Sequence, residues 1–279
     1  MITIQNEQLC VRIAKKGAEL RSVVCNGAEY MWQRDPAVWG DSAPLLFPVV
    51  GQQLDFRYTY KGKAYTMPLH GFARDYPFAV TAQSDLSVSM VQTENPETLE
   101  RYPFPYRLES VFELEGDTLV CHRFLTNTGE EDMLYSLGEH PGFCIPSADS
   151  GCYLKFSEAE KADRWVLDDE IIDHSEPFLD GDTITVTPEL FNRGALIFKK
   201  INSSHVTLHR EDGRTVTVGL DGWDHLGVWA FPNQPYVCIE PWCGITSSKW
   251  STHELTEKES IHTLKACETV HYVIRIRFH

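Results

Sequence analysis

Three short stretches of the chain set histidine or glutamate among glycine, proline and aromatic residues. They are PLHGFARDYPF (68–78) with His70 and Arg74, YSLGEHPGFCIP (135–146) with Glu139 and His140, and VCIEPWCGITSS (237–248) with Glu240. Carboxylate and imidazole together can take a proton from one oxygen and give one to another, and each positioned transfer typically contributes ~10²- to 10⁴-fold in rate. An imidazole, with an ordinary pKa of about 6.5, exchanges protons at neutral pH, and a nearby carboxylate favours its charged, acidic form. Taken singly, a histidine beside glycine and proline also fits a turn or core imidazole held by a backbone carbonyl. Glu240 is harder to dismiss: it follows the strand-like YVCI and precedes Pro-Trp, where an ionised carboxylate loses hydration unless it is paired. If the three stretches converge on one concave surface, rings such as Phe143 and Trp242 suit the flat apolar faces of a sugar.

The elements that must position these residues are strands. Alternation of apolar and polar residues recurs from ITIQ and CVRIA near the start, through YTYKGKAYTM, FAVTAQ, LSVSMVQ and LESVFELEGDTLVCHRFLTNTG, to TITVT, HVTLHR, TVTVGL, YVCIEPW and HYVIRIRFH. KGK (61–63), EGD (115–117) and EDGR (211–214) supply hairpin turns. NPETLERYP (95–103) predicts about two turns of helix, with Asn95 as cap and Pro96 at the first position, and THELTEKES predicts another short turn. So many strands exceed the ~10 that one open twisted sheet carries without curling or splitting. The expected fold is all-β, a large antiparallel β-sandwich, with residues 1–279 as a single domain, since no linker, repeat or composition shift divides them.

The formal charge of −15 argues against nucleic acid and anionic membrane as partners, both of which require clustered Lys and Arg. No run approaches the ~20 apolar residues of a membrane span, and no signal sequence is visible, so a cytoplasmic protein is expected. The eight cysteines are scattered and are expected to be reduced thiols. Cys238 and Cys243 miss the C-x-x-C spacing of zinc sites, so no metal site is expected.

Together the three stretches resemble the galactose mutarotase-like superfamily, and most closely the LacX-like branch of the aldose 1-epimerase family. APLLFPVVGQ, YTYKGKAYTMPLHGFARD, TNTGEEDMLYSLGEHPGF and GVWAFPNQPYVCIEPWCG carry the resemblance, in the family's order, from about residue 43 to residue 244. It implies a β-sandwich (supersandwich) with an open sugar cleft and with His70, His140 and Glu240 at the catalytic positions. Glu240 would take the proton from the anomeric hydroxyl, His140 would protonate the ring oxygen, and His70 would hydrogen-bond near that oxygen. No cofactor is implied, and the partner is an aldohexose bound by a monomer or weak homodimer. Arg74, Gln52 and Phe143 are the expected substrate-binding residues. Two positions depart from the family pattern: Gln52 stands where LacX-like sequences usually have arginine, and Gly194 stands where relatives often have aspartate before ALIF. Asp221 or Asp224 in LDGWDHLG is one candidate replacement for that aspartate, and a solvated turn is the other account of both. Alternatives are a non-catalytic carbohydrate-binding or sensing protein, a sugar-phosphate mutarotase needing a basic pocket, and a glycosidase with Glu139 as its second carboxylate.

Overall fold

Alternation becomes strand wherever it was read most plainly. The computed structural model describes residues 1–279, and in it Tyr106–Glu115 buries every second side chain. That strand pairs along its whole length with Thr118–Asn127 through the EGD turn. KGK joins Arg57–Tyr60 to Lys63–Thr66, and EDGR joins His205–His209 to Thr215–Gly219. α-Helix is confined to Pro96–Arg101, where the Asn95 side chain accepts from the backbone N–H groups of Glu97 and Thr98. THELTEKES contributes only a single 3-10 turn, Leu255–Glu257.

Fifteen strands join into one hydrogen-bonded antiparallel sheet, far more than an open twisted sheet holds without curling over. A four-stranded sheet formed by residues 2–29 lies against it. Between the layers runs a main core of 66 buried residues, reaching from Ile2 to Phe278, and a separate cluster of six that includes Trp242 packs beside it. This is the antiparallel β-sandwich expected from the alternation.

Two features of the core bear on the site. Phe47, Phe72, Tyr102 and Tyr106 pack edge to face, with ring centroids 4.9 Å apart for Phe47 and Tyr106. They clamp the segment just after His70 to the sheet. Below them Gln92 accepts from the Tyr106 hydroxyl and donates to the Ala73 carbonyl, which fixes the turn carrying Arg74.

One large element was not legible in the alternation. Tyr153–Asp168 and Ile171–Thr185 form a hairpin of 16 and 15 residues, of which only its end, TITVT, reads as strand in the sequence. Its register slips at three points, and each slip moves later side chains to the other face, so no single period survives.

A buried charge lies near the 3-10 turn. Lys258 is buried and donates to the Ile245 carbonyl, and burial pushes its pKa down to about 7 from 10.5, with Glu259 opposing. A cation whose folded pKa is depressed costs stability fully below the folded value, and the cost disappears above the unfolded value. Lys258→Met should therefore stabilise the protein by on the order of 2 kcal/mol at pH 6, net of the lost hydrogen bond. In denaturant melts the gain should fade as pH rises from about 7 to 10.5. An equal gain across that window would mean that the ammonium charge is not its cause.

Candidate active site

The strand Tyr236–Cys243 is buried along its whole length and pairs with two short strands, Leu137–Glu139 and Gly142–Cys144. Both pairings share one register: Leu137 opposes Cys243, Gly138 opposes Trp242, and Gly142 opposes Cys238. Carried across the break at 140–141, that register sets His140 opposite Glu240. Opposed residues of an antiparallel pair present their side chains on the same face. Nε2 of His140 lies 3.2 Å from Oε2 of Glu240. The glycine of EHPG is a steric requirement, because a Cβ on Gly142 would stand 2.6 Å from the Trp39 ring and 3.2 Å from Sγ of Cys238.

His70 arrives from a separate loop. Its backbone sits at φ +63, held because its N–H donates to the Gly51 carbonyl while the Gly51 N–H donates to its Nδ1 at 3.1 Å. With Nδ1 an acceptor, the proton of the neutral ring resides on Nε2. The ring stands nearly perpendicular to that of His140, with centroids 5.6 Å apart. Arg74, on the turn Ala73–Asp75, donates to the Leu69 carbonyl and lies 3.8 Å from Asp41.

These four side chains line one cavity of about 290 Å³. Trp39, Trp229, Phe231 and Trp242 form its aromatic walls. Trp39 and Trp229 flank the His140 ring at 5.2 and 5.5 Å.

Desolvation sets the electrostatics. Burial pushes His140 down to about 3, with the Arg74 charge acting in the same direction and the histidine's own backbone carbonyl opposing. His70 is held well below its ordinary value by burial, then by His140 and Arg74. Burial raises Glu240 well above the carboxylate range; the Trp242 indole opposes this, and the Glu170 charge adds to it. Separated charge is thus disfavoured, and the pair carries one proton between carboxyl and imidazole with no net charge. Both Glu240 oxygens, Nδ1 of His140 and Nε1 of Trp242 are buried without an aligned hydrogen-bond partner in the protein. Each such atom costs ~1–3 kcal/mol. Donors and acceptors on a hydroxyl-rich ligand would satisfy them.

Five candidate residues lie elsewhere. Phe143 opposes Val237, so alternation turns it away from Glu240 and into the core against Phe278. Gln52 is buried behind the wall, with its side-chain amide donating to the Asp169 carbonyl. Glu139 is the buried partner of Arg123, which donates to it through Nε at 2.7 Å and Nη2 at 3.1 Å; it is structural. Asp224 accepts from His262 outside the cavity, and Asp221 is exposed.

The cavity also holds residues the sequence reading did not single out. Glu170 comes from the tip of the long hairpin, where it and Asp169 both have positive φ (+64 and +52). Thr246 donates to its carbonyl. Burial, then Asp169, raises the Glu170 carboxyl. Gly194 borders an adjoining open cleft with Asp168, Asp169 and Glu170, so a hairpin carboxylate stands close to where the expected aspartate is missing. The consecutive acids of LDDEII were the one available signal for this tip.

Comparisons with known proteins bear on the chain as a whole. The model of the aldose 1-epimerase family matches residues 1–274. Protein LacX (plasmid) of Lactococcus lactis subsp. lactis is 29% identical over 96% of each chain. A galactose mutarotase related enzyme from Lactobacillus acidophilus superposes with a TM-score of 0.95 at 31% identity, covering 100% of this chain and 97% of that one. A galactose mutarotase-like protein from Lactobacillus casei ATCC 334 gives 0.93 at 28%, covering 100% of both.

The two cavity imidazoles should stay neutral in the free protein. In ¹⁵N NMR of histidine-labelled protein, His70 should keep its proton on Nε2, and neither ring should titrate between about pH 8 and pH 5. A midpoint near 6.5 for either would contradict the desolvation described above.

Proposed function

The chain belongs to the aldose 1-epimerase family, a family of sugar isomerases, and on that premise we propose that it interconverts the α and β anomers of a free hexose by acid–base ring opening. The observation that carries this reading is the Glu240–His140 approach of 3.2 Å in the wall of an aromatic-lined cavity. Glu240 takes the proton of the anomeric hydroxyl as His140 gives one to the ring oxygen. The C1–O5 bond breaks and O1 becomes the aldehyde oxygen. Rotation about C1–C2 presents the other face, and the reverse transfers close the ring. The pair passes from carboxylate and imidazolium to carboxylic acid and imidazole and back, so its single proton suffices and no net charge enters the site. Hydrogen bonds from O1–H to the carboxylate and from the imidazolium to O5 favour the charged form once sugar is bound. His70 presents its Nε2–H toward the ring oxygen and stabilises charge developing there.

A free sugar suits the cavity better than a phosphorylated one. Arg74 is the only guanidinium in the wall, and it is already engaged by the Leu69 carbonyl and Asp41. The neighbouring cleft is lined by four acids, Asp168, Asp169, Glu170 and Asp173, while its basic residues Arg193 and His174 are already paired with Glu176 and Asp173, so the balance there disfavours a dianion. Glu170 is well placed to bind sugar hydroxyls. The eight unpaired thiols suit a reducing cytoplasm, and no helix is long and apolar enough to cross a membrane.

Polarimetry of freshly dissolved α-D-glucose or α-D-galactose tests the reading. Catalytic amounts of protein should hasten the approach to equilibrium rotation. Glu240→Gln and His140→Ala should each lose at least ~10²-fold of the acceleration with the fold intact. Sugar-dependent thermal stabilisation with an unchanged rate would instead identify a binding protein. Glu170→Gln should raise KM several-fold with kcat little changed, the pattern of lost uniform binding. A fall in kcat with KM constant would place Glu170 in the chemistry.

A further inference from the structure

We propose that the same wall is a binding site for a thiophilic divalent cation, Zn²⁺ foremost, held by His140, Glu240 and Cys238, and that the bound cation shuts off proton transfer. A ring nitrogen of His140, a carboxylate oxygen of Glu240 and Sγ of Cys238 all lie within 4.8 Å of one another, and all three residues are buried. The sheet dictates this grouping. Cys238 and Glu240 are two apart on one strand and share a face, while His140 occupies the opposing position in the register that pairs Cys238 with Gly142.

The nitrogen-to-oxygen edge suits a tetrahedral ion. Zn–N and Zn–O bonds of about 2.0–2.2 Å imply a nitrogen-to-oxygen edge of roughly 3.3–3.5 Å, against 3.2 Å between His140 and Glu240. That approach lacks the alignment of a hydrogen bond, and both Glu240 oxygens are without an aligned partner although the residue is only 1% exposed. A buried carboxylate with unused lone pairs, facing a cavity beside an imidazole and a thiol, is the second observation that points to a ligand. The mixed S, N, O donor set favours Zn²⁺ over Mg²⁺ or Ca²⁺. A fourth position would face the cavity, open to water or a sugar hydroxyl.

A second grouping, Asp224, Cys243 and His262, lacks this character. There His262 bonds Asp224 at 2.7 Å and Cys243 bonds the Tyr272 hydroxyl at 2.8 Å, so its donors are already engaged with protein partners.

Binding has a definite proton balance. The ion replaces the proton shared by His140 and Glu240 and the proton of the Cys238 thiol, releasing two protons to the buffer. With its proton displaced, the pair can neither accept from O1 nor donate to O5. Inhibition by Zn²⁺ thus rests on the acid–base function proposed above, whereas metal binding itself does not.

Co²⁺ titration of chelator-stripped protein reads the site without reference to activity. Expected is a near-ultraviolet thiolate-to-cobalt charge-transfer band, bleached by Zn²⁺, lost in Cys238→Ser and retained in Cys243→Ser, with circular dichroism establishing that both variants fold. In polarimetry, Zn²⁺ should inhibit mutarotation reversibly with EDTA. Cys238→Ser should need at least tenfold more Zn²⁺ for half-inhibition, each variant being compared with its own metal-free rate. No thiolate band at millimolar Co²⁺, or a band that survives Cys238→Ser, would overturn the site. A band without mutarotation would leave the metal site standing and remove the proposed function, and mutarotation without a band would do the reverse.

Discussion

A carboxylate and an imidazole are held side by side out of water, and neither has enough protein partners to make charge comfortable. The rest of the structure exists around that constraint. Burying one polar atom without a bond costs ~1–3 kcal/mol, and an isolated ion costs far more. Glu240 has both oxygens in that state. The arrangement persists because the strand carrying Glu240 is buried along its whole length and paired on both sides, which holds its backbone in place beneath the pair. Stability gathered by a main core of 66 residues offsets a local arrangement that is unfavourable taken alone.

The surroundings tune this pair more than they neutralise it. Burial keeps both imidazoles uncharged, and the positive field that Arg74 sends into the cavity acts in the same direction. The Gly51 N–H leaves His70 only one proton position, so its cavity-facing nitrogen is a donor. Trp39 and Trp229 limit solvent around His140 and provide flat walls. By contrast Glu139, one residue from His140, is neutralised by a forked pair with Arg123, whose guanidinium stacks over Phe112. Adjacent glutamate and histidine thus serve different ends, because successive strand residues face opposite sides of the sheet. One side meets a buried guanidinium and the other meets the cavity.

The long hairpin adds what the sheet lacks. Its tip forces Asp169 and Glu170 into positive φ, an unfavourable backbone region for residues with side chains. Thr246 and Gln52 hold the tip by its carbonyls. The segment before Gly194 lines the neighbouring cleft, so this side of the cavity is assembled from two elements that do not alternate regularly. Glu170 itself sits in the turn between the two strands, and its positive φ sets the direction in which its carboxylate leaves the hairpin.

Much was legible in the residue order because short-range rules govern it. Period-two alternation marked most strands, and Gly-containing turns marked their hairpins. The Asn95–Pro96 start marked the one α-helix, and three unusual clusters marked His70, Arg74, His140 and Glu240 as residues to watch. Phe143 and Gln52 were misplaced for a reason the order does not contain, since the face a side chain takes depends on which strand it opposes and in what register. Glu170 was missed because three register slips erase the period that would have announced its hairpin. The chain by itself therefore determined the strands, the turns and the chemical types available for proton transfer. Tertiary structure alone decided which of them share a cavity, because contacts between residues a hundred positions apart are set by strand pairing and burial, and no local pattern encodes a partner's register.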